Sequence, residues 1–263
     1  MTEQGRTMKK IHWMAGILTI LIYQIPCLAD CAVQGVRAGL QGGYGVLDNV
    51  VLISQSVPPP PKSDSSNIAG RGVLGGITLE WGNVIGNTDM YMGVEGSFNF
   101  STTKGKKNVV AGTNEDLTTS IFFRRSIDLV GKIGCLMRDA ALPYFKLGPT
   151  MGHWKASSVS NSANASGNLA TTSIGFVVGV GSDFPVTERF AFGVGYDYRY
   201  YKNFTHFLNN NPTNNPLLKV AVTPSAHTIM FRLTFKLSAT DFSTSTPPKE
   251  RKRKRYKKPK PEA

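Results

Sequence analysis

Residues 225–237 alternate almost without exception. Ile229, Phe231, Leu233, Phe235 and Leu237 are large and apolar, Thr228, Arg232, Thr234 and Lys236 are polar or charged, and only Met230 breaks the polar set. A period of two places the two classes on opposite faces of a β-strand. Seven further segments alternate in the same way: 36–48, 72–82, 89–100, 126–137, 142–152, 174–184 and 190–201. Each has about the length of a tilted membrane strand. The connections alternate too. Residues 83–88, 138–141 and 185–189 are short turns, whereas 49–69, 101–117, 157–168 and 203–224 read as long polar loops. The stretches VPPPPKS, NSANASGN and NNNPTNNPL within those loops cannot pack a core and predict mobile surface segments.

The position of the charges decides what the two faces meet. One phase of the eight segments holds Arg37, Lys132, Lys146, Arg199, Arg232 and Lys236 together with Glu80, Asp89, Glu95, Asp128, Asp183 and Asp197. The opposite phase is essentially free of charge, apart from Arg71 just before the second segment. Balanced charge on one face predicts a closed interior in which cations and anions pair. A charge facing lipid at mid-membrane costs about 2–4 kcal/mol, which accounts for its exclusion from the other face. Trp81, Phe98, Phe100, Phe184, Phe190, Tyr198 and Tyr200 lie near segment ends, where interfacial aromatic girdles form. A soluble sandwich would scatter its charges and needs no such girdles. The pattern predicts an all-β fold, an eight-stranded antiparallel transmembrane up-and-down β-barrel. Eight strands enclose an interior that side chains fill, so no open pore is expected. Glycines in the charged phase, such as Gly43, Gly76, Gly179 and Gly193, leave room for those side chains.

The chain ends add compartment and charge. Lys9 and Lys10 precede an apolar run that closes near Pro26 and Ala29, the layout of a secretory signal over residues 1–29. After it, no apolar run approaches the roughly 20 residues of a spanning helix, so a membrane can be crossed only by strands. Residues 30–237 form the predicted barrel. Residues 238–263 form a basic tail, predicted to be disordered, with Lys249, Arg251, Lys252, Arg253, Lys254, Arg255, Lys257, Lys258 and Lys260 as a candidate anion-binding run. Of the net charge of +13, the last fifteen residues supply +7. The basic balance is mostly a tail property. Cys31 and Cys135 remain after signal removal; two cysteines make no disulfide framework, and the layout puts them on non-adjacent strands, so they read as free thiols.

GFVVGVGSDFPVTERFAFGVGYDYRYY resembles a hairpin of the small outer-membrane proteins related to outer-membrane protein A and the opacity adhesins. LPYFKLG and HTIMFRLTFKL are similar to their fifth and eighth strands. The resemblance implies a bacterial outer-membrane location, both termini in the periplasm and four long extracellular loops. It implies a surface-interaction role such as adhesion, contacts with outer-membrane lipid and lipopolysaccharide, and reading of the last strand by the outer-membrane assembly machinery. The chain departs from that pattern in continuing past its last strand. The periplasmic tail would then meet peptidoglycan or another anionic envelope polymer, and no nucleic acid.

Catalytic chemistry has little to stand on. His153 lies near Ser157, Ser158 and Ser160, the sole hint of a nucleophile beside a base, and a Ser–His–acid site needs geometry that spacing does not supply. No metal-ligand spacing is present, and neither cofactor nor metal is expected. A narrow passive channel is the alternative function, and a lipid A-modifying enzyme comes third.

Overall fold

The computed structural model describes residues 33–55, 63–86, 88–111, 115–137, 141–160, 165–210 and 216–238. The signal at 1–29 and the tail beyond Ser238, including its basic run, lie outside the described residues. So do Cys31 and the low-complexity centres of the long connections.

Eleven strands are formed: β1 Gly35–Gln55, β2 Ser63–Val84, β3 Met90–Ser101, β4 Lys104–Ala111, β5 Glu115–Cys135, β6 Leu142–Ser160, β7 Ala165–Pro185, β8 Phe190–Tyr201, β9 Phe204–Asn210, β10 Pro216–Thr223 and β11 Ser225–Ser238. All pairings are antiparallel, and the ring β1–β2–β3–β5–β6–β7–β8–β11 closes on β1 through the long β11–β1 ladder. The remaining three strands are continuations. β4 extends β3 beyond Thr102 and Thr103, β9 extends β8 beyond Lys202 and Asn203, and β10 leads into β11 across Pro224. The molecule is an eight-stranded antiparallel barrel, as the alternation predicts. Closure leaves no unpaired edge, which a bilayer demands of a spanning sheet.

The long polar loops are corrected by the structure. Residues 49–54 of β1 pair with 63–68 of β2, β4 pairs with the start of β5, residues 156–160 pair with 165–169, and β9 pairs with β10. At about 3.4 Å per residue and a tilt near 40°, a 21-residue strand such as β5 or β7 rises about 55 Å, twice the roughly 25 Å apolar band of an outer-membrane barrel. The wall therefore runs on past the lipid at one end. We call this the far end, and the opposite end, with the short connections, the turn end.

The interior is layered. Val33, Tyr91, Leu136 and Leu142 pack together at the turn end, charged and polar side chains fill the middle, and an apolar core fills the far end. That core includes Leu47, Ile68, Ile121, Phe123, Trp154, Tyr201 and Val222. Phe123, Trp154 and Tyr201 form its aromatic centre, with ring centroids 4.7 to 5.9 Å apart.

Irregularities in the wall lie where the two interiors meet. Phe123 stands opposite Trp154 and Arg125 opposite His153, so Arg124 is an extra residue, a bulge in β5. Before it the buried set is Leu117, Thr119, Ile121 and Phe123; after it, Ser126, Asp128, Val130 and Lys132. The bulge resets the phase of the strand. Lys202 and Asn203 do the same between β8 and β9, where the buried set passes from Asp197, Arg199 and Tyr201 to His206 and Leu208. Backbone bonds and one side chain bridge the interrupted ladders. Thr102 N–H donates to the Val73 carbonyl at 3.0 Å, Tyr201 N–H to the Pro224 carbonyl at 3.1 Å, and Ser225 Oγ to the Asp48 carbonyl at 2.5 Å.

Candidate functional site

The middle layer brings together ten of the twelve charged residues singled out in the sequence. Arg37, Lys132, Lys146, Arg199 and Arg232 meet Glu80, Glu95, Asp128, Asp183 and Asp197, and every strand of the closed ring contributes at least one. All ten are buried, since each lies on the inward phase of its strand. Lys132 is the hub, its Nζ 3.0 Å from Glu80, 3.3 Å from Asp183 and 3.5 Å from Glu95. Arg37 Nη2 reaches Glu80 at 2.5 Å and Asp183 at 3.5 Å. Arg232 grips Glu95 with both guanidinium nitrogens, at 2.6 and 3.3 Å, the bidentate geometry that suits a carboxylate. Lys146 joins Asp197 at 3.0 Å to Glu95 at 3.6 Å, and Arg199 joins Asp197 at 3.1 Å to Asp128 at 2.9 Å.

Neutral donors add hydrogen bonds to two of these carboxylates. Tyr91 Oη donates to Glu80 at 2.7 Å, Thr150 Oγ1 to Asp128 at 2.5 Å, and Ser97 Oγ to Asp128 at 3.0 Å. Above them Gln41 donates to Asn99 across the bore. Gly179 makes space for one of the pairs: a Cβ there would meet the Asp197 carboxylate and the Lys146 side chain.

Two residues stand differently from the expectation. Asp89 precedes β3 in the turn and is exposed, its backbone carbonyl accepting from Leu136 N–H at 2.7 Å. The alternating phase carries it inward on paper, but the strand starts one residue later, so Asp89 is not part of the interior set. Lys236 is half-buried near the end of β11, opposite Arg37, with its backbone N–H bound to the Arg189 carbonyl at 2.8 Å.

The serine–histidine idea meets a geometric obstacle. His153 is on the outer side of β6, its Nδ1 3.3 Å from Thr172 Oγ1, whereas Ser158 and Ser160 point inward and are buried. Odd and even positions of one strand lie on opposite sides of the wall. Ser158 instead meets His206 Nε2 at 3.0 Å and Thr119 Oγ1 at 3.0 Å, deep in the apolar core. Burial pushes the His206 pKa down to about 4, and no described residue partners its Nδ1. Without an acid at that nitrogen the pair lacks the third group that orients a catalytic imidazole. Residues 203–224 read as loop in the sequence, which hid His206, although Val220 and Val222 already alternated there.

Among the described residues no group of three His, Cys, Asp or Glu side chains could hold a metal ion. Cys135 is a free, exposed thiol on the outer wall at the turn end.

The outer wall between the turns and the irregular level is apolar all round. Leu40, Val73, Ile77, Phe100, Ile127, Leu129, Met151, Ile174 and Leu233 are each 45 to 66 % exposed. Apolar outside and charged inside is the reverse of a soluble barrel and fits only a lipid surround.

Comparison with known proteins agrees with this geometry. Residues 16–235 match the model of the outer membrane protein beta-barrel domain. Similar solved structures include the outer membrane protein OprG from Pseudomonas aeruginosa, at 16 % identity over 78 % of this chain and 99 % of that one, with a TM-score of 0.48. The attachment invasion locus protein Ail of Yersinia pestis is 16 % identical over 76 % and 99 %, with a TM-score of 0.31. Neisserial surface protein A is 16 % identical over 73 % and 96 %, with a TM-score of 0.30. No curated protein matches the sequence. With a closed eight-stranded ring, a lipid-facing apolar wall and a family match over most of its length, this chain belongs to the outer membrane protein beta-barrel domain family.

Proposed function

We propose that this protein is a non-conducting, non-catalytic surface protein of the outer membrane, which holds the far end of its barrel outside the cell to contact a partner there, as an adhesin does. The observation that carries this reading is the filled interior. An apolar plug, an ion-paired charged layer and an apolar core follow one another along the bore. Such a stack offers an ion no continuous polar path, which argues against the channel. The far core gives the projecting wall a stability of its own, so its hairpins are carried on a rigid stem rather than on loose loops. Both termini then face the periplasm, because the first and last strands start and end at the turn end. The basic tail would be placed to meet an anionic envelope polymer, and β11 to be read by the assembly machinery.

Orientation is tested with single cysteines in a Cys31→Ser/Cys135→Ser background. Asn108→Cys at the far end should react with an impermeant maleimide on whole cells, and Val186→Cys at the turn end should react only after lysis. Both side chains are exposed in the fold. The opposite labelling would overturn the reading. In planar bilayers the protein should remain silent at all voltages, and steady unitary currents would restore the channel. Cells displaying the protein should bind host-cell or matrix surfaces above the level of cells lacking it, with the gain lost when the far hairpins are shortened.

A further inference from the structure

The outer wall is not uniform where its lipid-facing part ends. On β2, β4, β5 and β6 this level carries five exposed cations: Arg71, Lys104, Arg124, Arg125 and Lys155. The strand register sets them side by side. Arg71 stands opposite Lys104, Lys104 opposite Phe122, and Phe122 opposite Lys155. Four neighbouring strands at about 4.8 Å spacing make this a row roughly 15 Å long. The β5 bulge adds Arg124 and Arg125 beside it. Phe122 lies at the centre with Lys104 Nζ 4.7 Å and Arg124 Cζ 5.2 Å from its ring centroid, so one aromatic face holds two cations in place.

None of the five has an ion pair among the described residues. The described acidic side chain on this part of the outer wall is Asp48 on β1, opposite Ala69 and so two residues from Arg71. The positive field is felt locally: burial first, then the charges of Arg125, Lys155 and Arg124, depress the pKa of His153. Cations lined up across strands repel one another, and in the barrel interior of the same protein every cation of the central layer has a carboxylate. Here the counter-charge has to come from outside. Val73, Phe100, Ile127 and Met151, all exposed and apolar, lie next to the cluster on the turn-end side. The cluster therefore begins where acyl chains stop, at the depth of lipid head groups.

We infer that this cluster is a binding site for the phosphate groups of lipopolysaccharide in the leaflet that surrounds the far end. Arginine forks match phosphate oxygens in pairs, and lysines add mobile point charges. A row of this length suits a large head group with more than one phosphate better than a single phospholipid head. The inference rests on the proposed orientation, in which the far end faces outward.

The test uses the full mature chain in nanodiscs that contain lipopolysaccharide, phosphate-stripped lipopolysaccharide or phosphatidylglycerol. Lipid retained through detergent exchange is counted by native mass spectrometry. The parent should retain lipopolysaccharide at least tenfold better than its phosphate-stripped form, less so in high salt, because exposed charges are screened. The variant K104Q/R124Q/R125Q/K155Q should lose that preference, while K202Q, a cation outside the row on β8's continuation, should keep it. Binding should also raise the His153 pKa in the parent, read by NMR. Equal retention by parent and fourfold variant, both migrating as folded barrels before boiling, overturns the inference, and so does preference for phosphatidylglycerol. This assay does not depend on orientation in cells, so failure of the orientation itself appears only in the Asn108 and Val186 labelling.

Discussion

The two halves of this barrel obey opposite rules about what belongs inside. In the membrane half the outer wall is apolar and the bore holds ten charges; in the far half the bore is apolar and holds Trp154, Phe123 and Ile121. The backbone is the same ladder in both. What differs is the surroundings of the wall. Lipid accepts the apolar face without any gain from burying it, so the interior of the membrane half is free to be polar, provided each charge is paired. Beyond the lipid, water restores the ordinary drive to bury apolar area, and the core returns to the inside. The change of rule coincides with the bulge at Arg124 and the breaks at Lys202 and Pro224.

Deleting Arg124 should break the comparison most severely. Without the extra residue, β5 can keep only one of its two inward sets, because a one-residue slip moves every side chain to the other face. Either Asp128 and Lys132 would face lipid or Ile121 and Phe123 would face water. We expect loss of the folded, fast-migrating form, or a membrane half that survives with a far end open to protease. Unchanged migration together with protease resistance would refute the role given to the bulge.

Lys132→Met tests the paired interior. It leaves Glu80, Glu95 and Asp183 crowded without their hub, and removing one partner of a buried charge cluster costs about 3–5 kcal/mol. The midpoint of urea unfolding in detergent should fall accordingly. A midpoint within error of the parent would mean that water or relaxation replaces the cation.

One substitution made on the two outer walls separates their surroundings. Leu129 is 57 % exposed in the lipid-facing wall, and Leu52 is 46 % exposed in the far wall. Leu129→Arg should cost about 2–4 kcal/mol in lipid vesicles, and Leu52→Arg should stay within about 0.5 kcal/mol. Equal costs at the two sites would remove the boundary between them.

The mildest test is pH. His206 sits in the far core with its pKa held near 4, below the ordinary 6.5, so the fold favours its neutral form. At neutral pH both folded and unfolded chains are unprotonated there, and the contribution is complete. As pH falls from about 6.5 to about 4 the unfolded chain takes up a proton that the fold refuses, and the far end should lose at most ~3 kcal/mol. His206→Gln should flatten that loss in protease-protection measurements, while the membrane half keeps the same pH profile in both proteins. An unflattened profile would assign the acid sensitivity elsewhere.

Much of this was readable from residue order. Alternation in 225–237 and its seven counterparts sets strand number, the face that meets lipid, and ten of the interior charges, because period-two patterning is a local property of a strand. The far half was readable only in part. Leu117, Ile121 and Phe123 alternate as cleanly as any membrane strand, but polar neighbours make 101–117 look like loop, and 118–125 fall between that loop and the segment that starts at 126. Asp89 shows the converse failure: the phase was right, and the strand began one residue too late to use it.

Residue order alone establishes a closed sheet with an apolar exterior and a charged bore, since one residue type per face is enough to state it. The tertiary structure alone decided which charges meet. Lys132 touches Glu80 and Asp183 only because the ring closes, and no spacing along the chain reports a distance across a bore. It alone placed Ser158 against His206 rather than near His153, and it alone gathered Arg71, Lys104, Arg124, Arg125 and Lys155 onto one wall. Register and the bulge do that work: they fix how far each strand is shifted against its neighbour, and that shift depends on the whole circuit of the barrel rather than on any one strand.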